Sequence, residues 1–171
     1  HINNLIYYEP KDYMIMDINT RINLEIIETI MSKSKKCPLI HTLDKTSTAM
    51  GGRLLKNWLE QPLLNIDRIN YRLDMVEFFY DNIIFMDDVA NELKSIYDIE
   101  RLATRISNGN CNGRDLISLK NSISVLPNLK TLLINASNKS LIELGNRMDP
   151  LDDIYDLIEN SIEENPPTTI K

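Results

Sequence analysis

The segment LDKTSTAMGGRLLKNWLEQPL, residues 43–63, decides the fold class of the chain. Thr46, Ser47 and Thr48 precede its apolar positions, and each hydroxyl can accept a hydrogen bond from a free N–H at the start of a helix. The apolar residues then recur at the spacing of neighbours on one helix face, and Pro62 follows where a helix has to end. The segment therefore predicts an amphipathic helix. Its buried stripe is expected to consist of Leu54, Leu55, Trp58 and Leu59.

Apolar residues keep helical spacing downstream of the 43–63 segment. Asp98 can cap a helix in which Leu102 is a core position, and the glycines of residues 108–113 predict the turn that ends it. The next stripe has 3-4-3 spacing, as in a seam between packed helices, and Leu119 is one of its core positions. Only 5 glycines occur among 171 residues, which also favours helices over a chain of tight turns.

The N-terminal part is expected to differ from this pattern. The run YMIMD, residues 13–17, is short and apolar and predicts a strand, whereas the isoleucine-rich residues 18–30 fit either a helix or a strand. The predicted fold class is all-α: a multi-helix bundle with a short strand-containing segment near the N-terminus. Three parts are expected, namely an entry segment 1–36 that ends in a basic loop, a helical part 37–164 and an exit segment 165–171.

The charge balance argues against a domain that grips DNA through its phosphates. The chain has 19 Lys and Arg against 25 Asp and Glu, a formal net charge of -6, whereas such domains carry a positive face. Lys33, Lys35 and Lys36 form a basic loop that could contact phosphate. A short lysine run in a loop is more often simply solvated, so contact with phosphate is the weaker hypothesis.

No catalytic, cofactor-binding or metal-ligating pattern is found in the sequence. His1 and His41 combine with neither Cys37 nor Cys111 at a metal-ligand spacing, and the two thiols are expected to be reduced. Residues 51–53, GGR, contain the only glycine pair and lack the lysine and hydroxyl of a phosphate loop. Because no apolar run has the length of a membrane span and no signal peptide is evident, we expect a cytoplasmic protein.

The 43–63 segment resembles the core domain of the MutS family of DNA mismatch-repair proteins. The family pattern is Leu-Asp-x-Thr-x-Thr-x-Met-Gly-x-Arg-Leu-Leu-x-x-Trp-Leu-x-x-Pro-Leu, and every fixed position is matched here. Residues 13–17 and 98–105 are also similar to the family, so the resemblance covers nearly the whole chain. Because the chain lacks an initiator Met and ends abruptly after a proline pair, it is expected to be an excised fragment.

The resemblance implies a core-and-lever bundle within a longer protein. In the MutS family an N-terminal domain inserts an aromatic wedge at the mismatch, a clamp grips the flanking duplex, and a C-terminal phosphate-loop ATPase uses ATP and Mg²⁺. The chain is similar to the core with the start of the levers, which link the clamp to the ATPase. The implied partners are mismatched double-stranded DNA held through other domains, the protein's own clamp and ATPase domains, a second MutS subunit and a MutL-type protein, with no membrane.

By this resemblance the chain is a structural module and not an enzyme, although the full-length family is a DNA-dependent ATPase. Arg53 and Arg101 are then expected to form salt bridges between helices. In the family a second core segment follows the clamp and packs against these helices. The chain alone is therefore expected to expose an apolar patch, through which it could also dimerise.

The sequence is also compatible with two alternative functions. One is the core of a MutS-like paralogue that acts on recombination intermediates or ribosomes, although residues 13–17 and the Met50-Gly51 pair fit the repair branch better. The other is a free-standing helical domain for protein interactions, which the abrupt ends of the chain argue against.

Overall fold

The computed structural model describes residues 12–30 and 37–167. Within these ranges the regular elements are ten helices, which confirms the all-α prediction. They are α1 (Ile18–Asn23), α2 (Leu39–Leu43), α3 (Ala49–Glu60), α4 (Ile66–Asp81), α5 (Ile83–Lys94), α6 (Ile99–Ser107), α7 (Gly113–Ile123), α8 (Leu126–Ile134), α9 (Lys139–Arg147) and α10 (Asp152–Ser161).

The strand predicted near the N-terminus is wrong. In the described ranges this run makes one isolated antiparallel bridge, between Tyr13 and Leu63, beside which the Met14 N–H donates to the Pro62 carbonyl at 2.8 Å. The side chain of Asp17 then accepts the hydrogen bond that caps α1. Because the cap turns the backbone into a helix directly after the run, too few residues remain extended to form a strand.

Two compact units make up the chain. The first contains the described residues up to Thr46 together with Gly52–Val76, and the second contains Ser47–Gly51 and the described residues from Glu77 onward. The basic loop with Lys33, Lys35 and Lys36 lies outside the described residues, as do residues 1–11 and 168–171. The predicted division into parts 1–36, 37–164 and 165–171 therefore remains a prediction.

The first unit has a small core. Among the described residues its buried side chains are Ile26, Pro38 and Leu63. The loop after α1 is held against α2 by backbone hydrogen bonds, since the Leu39 N–H donates to the Glu25 carbonyl at 3.0 Å and the Ile40 N–H donates to the Ile26 carbonyl at 3.0 Å. On α3 and α4 the apolar side chains of Leu54, Trp58, Leu73 and Val76 stay exposed.

The second unit is built from helices that pack in pairs. α8 packs against α9, α7 packs against both α6 and α10, and α5 packs against α8. The apolar side chains that become buried come from every one of these helices and from the short connections. They are Val89, Leu102, Ile123, Val125, Leu129, Leu133, Ala136, Leu141 and Ile158.

Local sequence signals set the ends of the helices in the second unit. The turn predicted at residues 108–113 is confirmed, with Gly109 in the left-handed region at φ 68°. Asn112 and Asp115 then form a capping box at the start of α7, in which each side chain accepts from the other's backbone N–H. Pro127 lies in the first turn of α8, where its missing N–H costs nothing.

Candidate functional site

The turn before α3 is organised by Asp44. The Thr46 hydroxyl and the Thr46 N–H donate to Asp44 Oδ1 at 2.7 Å and 3.1 Å. These bonds favour the ionised carboxylate, and the one from the hydroxyl is the main reason why the pKa of Asp44 is below its ordinary value. A Cβ atom at Gly52 would lie 3.3 Å from Thr46 Oγ1, so the turn lies close against the start of α3 and a glycine suits this position.

The helix cap predicted from the hydroxyl residues is made by Thr48. Thr48 directly precedes Ala49, the first residue of α3, and its Oγ1 accepts a hydrogen bond from the Gly51 N–H at 3.0 Å. The two threonines therefore have different roles, one in the turn and one at the cap. The glycine pair is engaged in this local geometry: the Gly51 N–H is used by the cap, and Gly52 lies against the turn. This arrangement does not fit a phosphate-binding loop.

Trp58 and Leu54 lie on the surface of this chain and not in its core. Leu54 is 50% exposed and Trp58 is 40% exposed, which corrects the burial predicted for both, while Leu55 and Leu59 are half-buried. The guanidinium carbon of Arg72 lies 3.6 Å from the centroid of the Trp58 ring, so a cation–π contact joins α3 to α4. Desolvation, followed by the charge of the nearby Arg68, lowers the pKa of Arg72.

The predicted core positions of the second unit differ in burial. Leu102 is buried on α6, whereas Leu119 on α7 is half-buried. Arg101 pairs with Asp98 at 3.2 Å, three residues earlier at the start of the same helix, so the interhelical salt bridge predicted for it is wrong. Arg53 is half-buried on α3, and its interhelical role remains a prediction.

The ion pairs that do join helices of the second unit were not predicted. Arg105 of α6 pairs with Asp115 of α7, and Lys120 of α7 pairs with Glu159 of α10. The hydrogen bond to Glu159 raises the pKa of Lys120. The capping box contained a signal for the first pair, because it fixes the Asp115 carboxylate at the end of α7 that faces the turn. The residues of the second pair, Lys120 and Glu159, are 39 residues apart, and no local sequence pattern predicts their contact.

Groups with chemical reactivity are scattered over the described residues. No three His, Cys, Asp or Glu side chains in residues 12–30 and 37–167 are placed to hold a metal ion. Cys37 is exposed and Cys111 is half-buried; both are free thiols, and burial raises the pKa of Cys111. In the same ranges, no helix has the length and apolar character needed to span a bilayer.

These features define a helical scaffold in which α7 connects its neighbours, and comparison with known proteins identifies the family. The family model described as MutS domain III matches residues 19–171, and the chain belongs to this family. It is 48% identical over its 171 residues to the DNA mismatch repair proteins MutS of Clostridium novyi (strain NT) and Clostridioides difficile (strain 630), covering 19% and 18% of them. The corresponding protein of Staphylococcus aureus (strain JH9) is 44% identical, with 20% covered. The chain thus spans about a fifth of the length of these relatives.

Thr46→Ala is expected to raise the pKa of Asp44 toward its ordinary value, because the variant loses the hydroxyl that stabilises the carboxylate. The stabilising contribution of this carboxylate is present above its unfolded pKa and is lost as the pH falls through its folded pKa. Titration of the Asp44 carboxyl carbon by NMR measures the change. Thr46→Ser keeps the hydroxyl and is expected to keep the low pKa. An unchanged pKa in Thr46→Ala would contradict the assignment.

Proposed function

We propose that this chain acts as the coupling scaffold of a longer MutS-type protein, linking the binding of mismatched double-stranded DNA to ATP hydrolysis. The observation that carries the proposal is the match to MutS domain III over residues 19–171, together with relatives named as DNA mismatch repair proteins. Those names also favour the repair branch over paralogues that act on recombination intermediates or ribosomes. DNA, ATP and Mg²⁺ would all be bound by other domains of the longer protein.

The ion pairs and packing contacts between helices of the second unit support a mechanical role. Ion pairs join α6 to α7 and α7 to α10, while α8 and α9 pack closely along their length. All of these helices belong to one compact unit, and packed interfaces have discrete arrangements and do not deform continuously. We therefore propose that the second unit transmits a displacement between the DNA-binding and ATPase domains.

The exposed apolar residues of the first unit support a docking role. Leu54 and Trp58 are one helical turn apart on α3, and Leu73 and Val76 are at neighbouring positions on α4. A contiguous apolar patch on a soluble protein usually belongs to an interface. We propose that the second core segment of the same longer protein covers these four residues. The further partners, in the cytoplasm, are a second MutS subunit and a MutL-type protein.

Two measurements test the coupling role. The 171-residue chain is expected to show neither ATP hydrolysis nor a preference for mismatched over matched duplex DNA. In the full-length protein, Trp58→Ala is expected to leave basal ATP hydrolysis and mismatch binding in place but to abolish most of the stimulation of ATP hydrolysis by mismatched DNA. The physical reason is that the substitution removes an anchor between the scaffold and the proposed core segment.

The matched control is Leu144→Ala, which shortens an exposed apolar side chain on α9 and is expected to keep the stimulation intact. Circular dichroism and thermal unfolding of the 171-residue chain carrying Trp58→Ala show whether this domain is folded. Mismatch-selective binding by the 171-residue chain at physiological salt would overturn the proposal. Equal stimulation of the wild type and of Trp58→Ala would overturn the docking surface.

A further inference from the structure

Residues 77–93, at the end of α4 and along α5, carry charge of one sign. Within this stretch the charged side chains are Glu77, Asp81, Asp87, Asp88 and Glu92, with no lysine or arginine among them. The first base beyond it is Lys94, whose Nζ donates to Asn91 Oδ1 at 2.9 Å. The whole stretch belongs to the second unit and presents a locally anionic surface.

Large apolar side chains are exposed within this anionic stretch. Tyr80 is 78% exposed and Ile84 is 81% exposed, and Ile83, between them in the sequence, is also exposed. An isolated exposed isoleucine needs no explanation, but neighbouring exposed apolar residues with a polar rim are typical of interaction sites.

A groove runs beside these residues. One cavity of ≈ 540 Å³ is lined by Asp81, Ile83, Ile84 and Asp88 among others. A second of ≈ 420 Å³ continues between α5 and α8 and is lined by Asp88, Glu92 and Leu132 among others. Asp88 lines both cavities, so they adjoin along α5 from its start to Glu92, and both carboxylates and apolar side chains line them. Ten residues of helix correspond to about 15 Å, which is roughly three turns of a bound helix.

Aromatic packing and a hydrogen bond hold the corner between α4 and α5 in place. The rings of Phe78 and Phe79 lie 5.6 Å and 5.8 Å from the ring of Phe85, centroid to centroid. At the junction of the two helices, Asn82 Nδ2 donates to the Phe78 carbonyl at 2.8 Å. The junction that leads to the two isoleucines is therefore packed and hydrogen-bonded, and a ligand would meet a preformed surface.

We propose that this α5 surface, formed by Tyr80, Asp81, Ile83, Ile84, Asp88 and Glu92, binds a basic amphipathic helix of a partner protein. The apolar face of such a helix covers Tyr80 and Ile84, and its lysine or arginine side chains meet the three carboxylates. A second copy of this chain is a poor occupant, because the same carboxylates would face one another. The inference is independent of the coupling role and would hold if that role were disproved.

Titration of the 171-residue chain with an 18-residue amphipathic leucine–lysine peptide, followed by calorimetry, tests the proposal. The peptide is expected to bind, and added NaCl is expected to weaken binding because it screens the charge pairs. Ile84→Asn is expected to reduce the affinity about tenfold, since a large apolar side chain loses its contact. Asp88→Asn is expected to reduce both the affinity and its dependence on salt.

Matched controls are available on α10. Leu157→Asn and Asp156→Asn change an exposed leucine and an exposed aspartate of the same unit, and both variants are expected to bind the peptide as the wild type does. A peptide of the same composition in scrambled order is expected to bind weakly. Equal binding of the scrambled peptide, or an unchanged affinity in Ile84→Asn, overturns the proposal. A dimer of the chain that Ile84→Asn dissociates also overturns it, because the surface would then belong to a second copy.

Discussion

Leu141→Ala is expected to lower the free energy of unfolding of the chain by about 2–5 kcal/mol. Leu141 is 2% exposed and lies on α9, which packs against α8 more extensively than any other described pair of helices pack. Shortening the side chain removes its transfer free energy and leaves a cavity between helices that close contacts hold in position. Urea denaturation followed by circular dichroism at 222 nm measures the loss.

Leu144→Ala is the control for this experiment. Leu144 lies on the same helix, is the same residue type and is 50% exposed. Both substitutions gain the same small amount of helix propensity, so the difference between them reports burial alone. Leu144→Ala is expected to change stability by less than about 1 kcal/mol. Similar losses in the two variants would mean that α9 does not pack as described.

The helices of this chain could be predicted from the sequence because their signals are local. A capping hydroxyl, carboxylate or amide acts within three residues, as Thr48, Asp98 and Asn112 do. The turn at residues 108–113 likewise depends on glycine within the turn itself. Such features are decided by neighbouring residues and do not need the rest of the fold.

The burial of a side chain depends on what packs against its helix, which the local sequence does not determine. For this reason the burial predicted for Leu54 and Trp58 is wrong for this chain. Helical spacing shows that the two residues share one face of α3, but it does not show what covers that face. Here Arg72 lies over the Trp58 ring and both side chains remain partly exposed. Leu102 has the same kind of spacing and is buried because α6 packs against α7.

The partners of the charged side chains could not be predicted from the sequence either. Arg101 lies three residues after the cap Asp98 and pairs within its own helix, whereas Arg105, one turn later, reaches α7. Which of the two arginines can reach α7 depends on where α7 begins, and this is set by the path of the turn. The strand prediction failed for a related reason, because an extended run becomes a strand only when a partner continues alongside it.

Gly145 allows α9 to approach α8 closely. A Cβ atom on Gly145 would lie 3.0 Å from Leu133 Cβ, 3.0 Å from Ile134 Cγ1 and 3.2 Å from the Ile134 backbone nitrogen. Ile134 Cγ1 could shift by a few tenths of an ångström, but Leu133 Cβ and the Ile134 nitrogen are fixed by the backbone of α8 and move only if the helix moves. Replacing glycine in a helix normally gains up to about 1 kcal/mol of propensity, so the cost of overpacking has to exceed this gain.

Gly145→Val is expected to lower the free energy of unfolding by about 3 kcal/mol, because its methyl groups force α8 and α9 apart along their contact. Asn146→Val places the same β-branched residue at the next, exposed position of α9 and is expected to cost less than about 1 kcal/mol. Thermal and urea unfolding of the two variants separate the two effects. Equal losses in the two variants would contradict the close packing of α9 on α8 as the cause. A loss confined to Gly145→Val shows that α8 and α9 can pack this closely only because residue 145 has no side chain. The distance between the two helices is then set by contact with the backbone of α9.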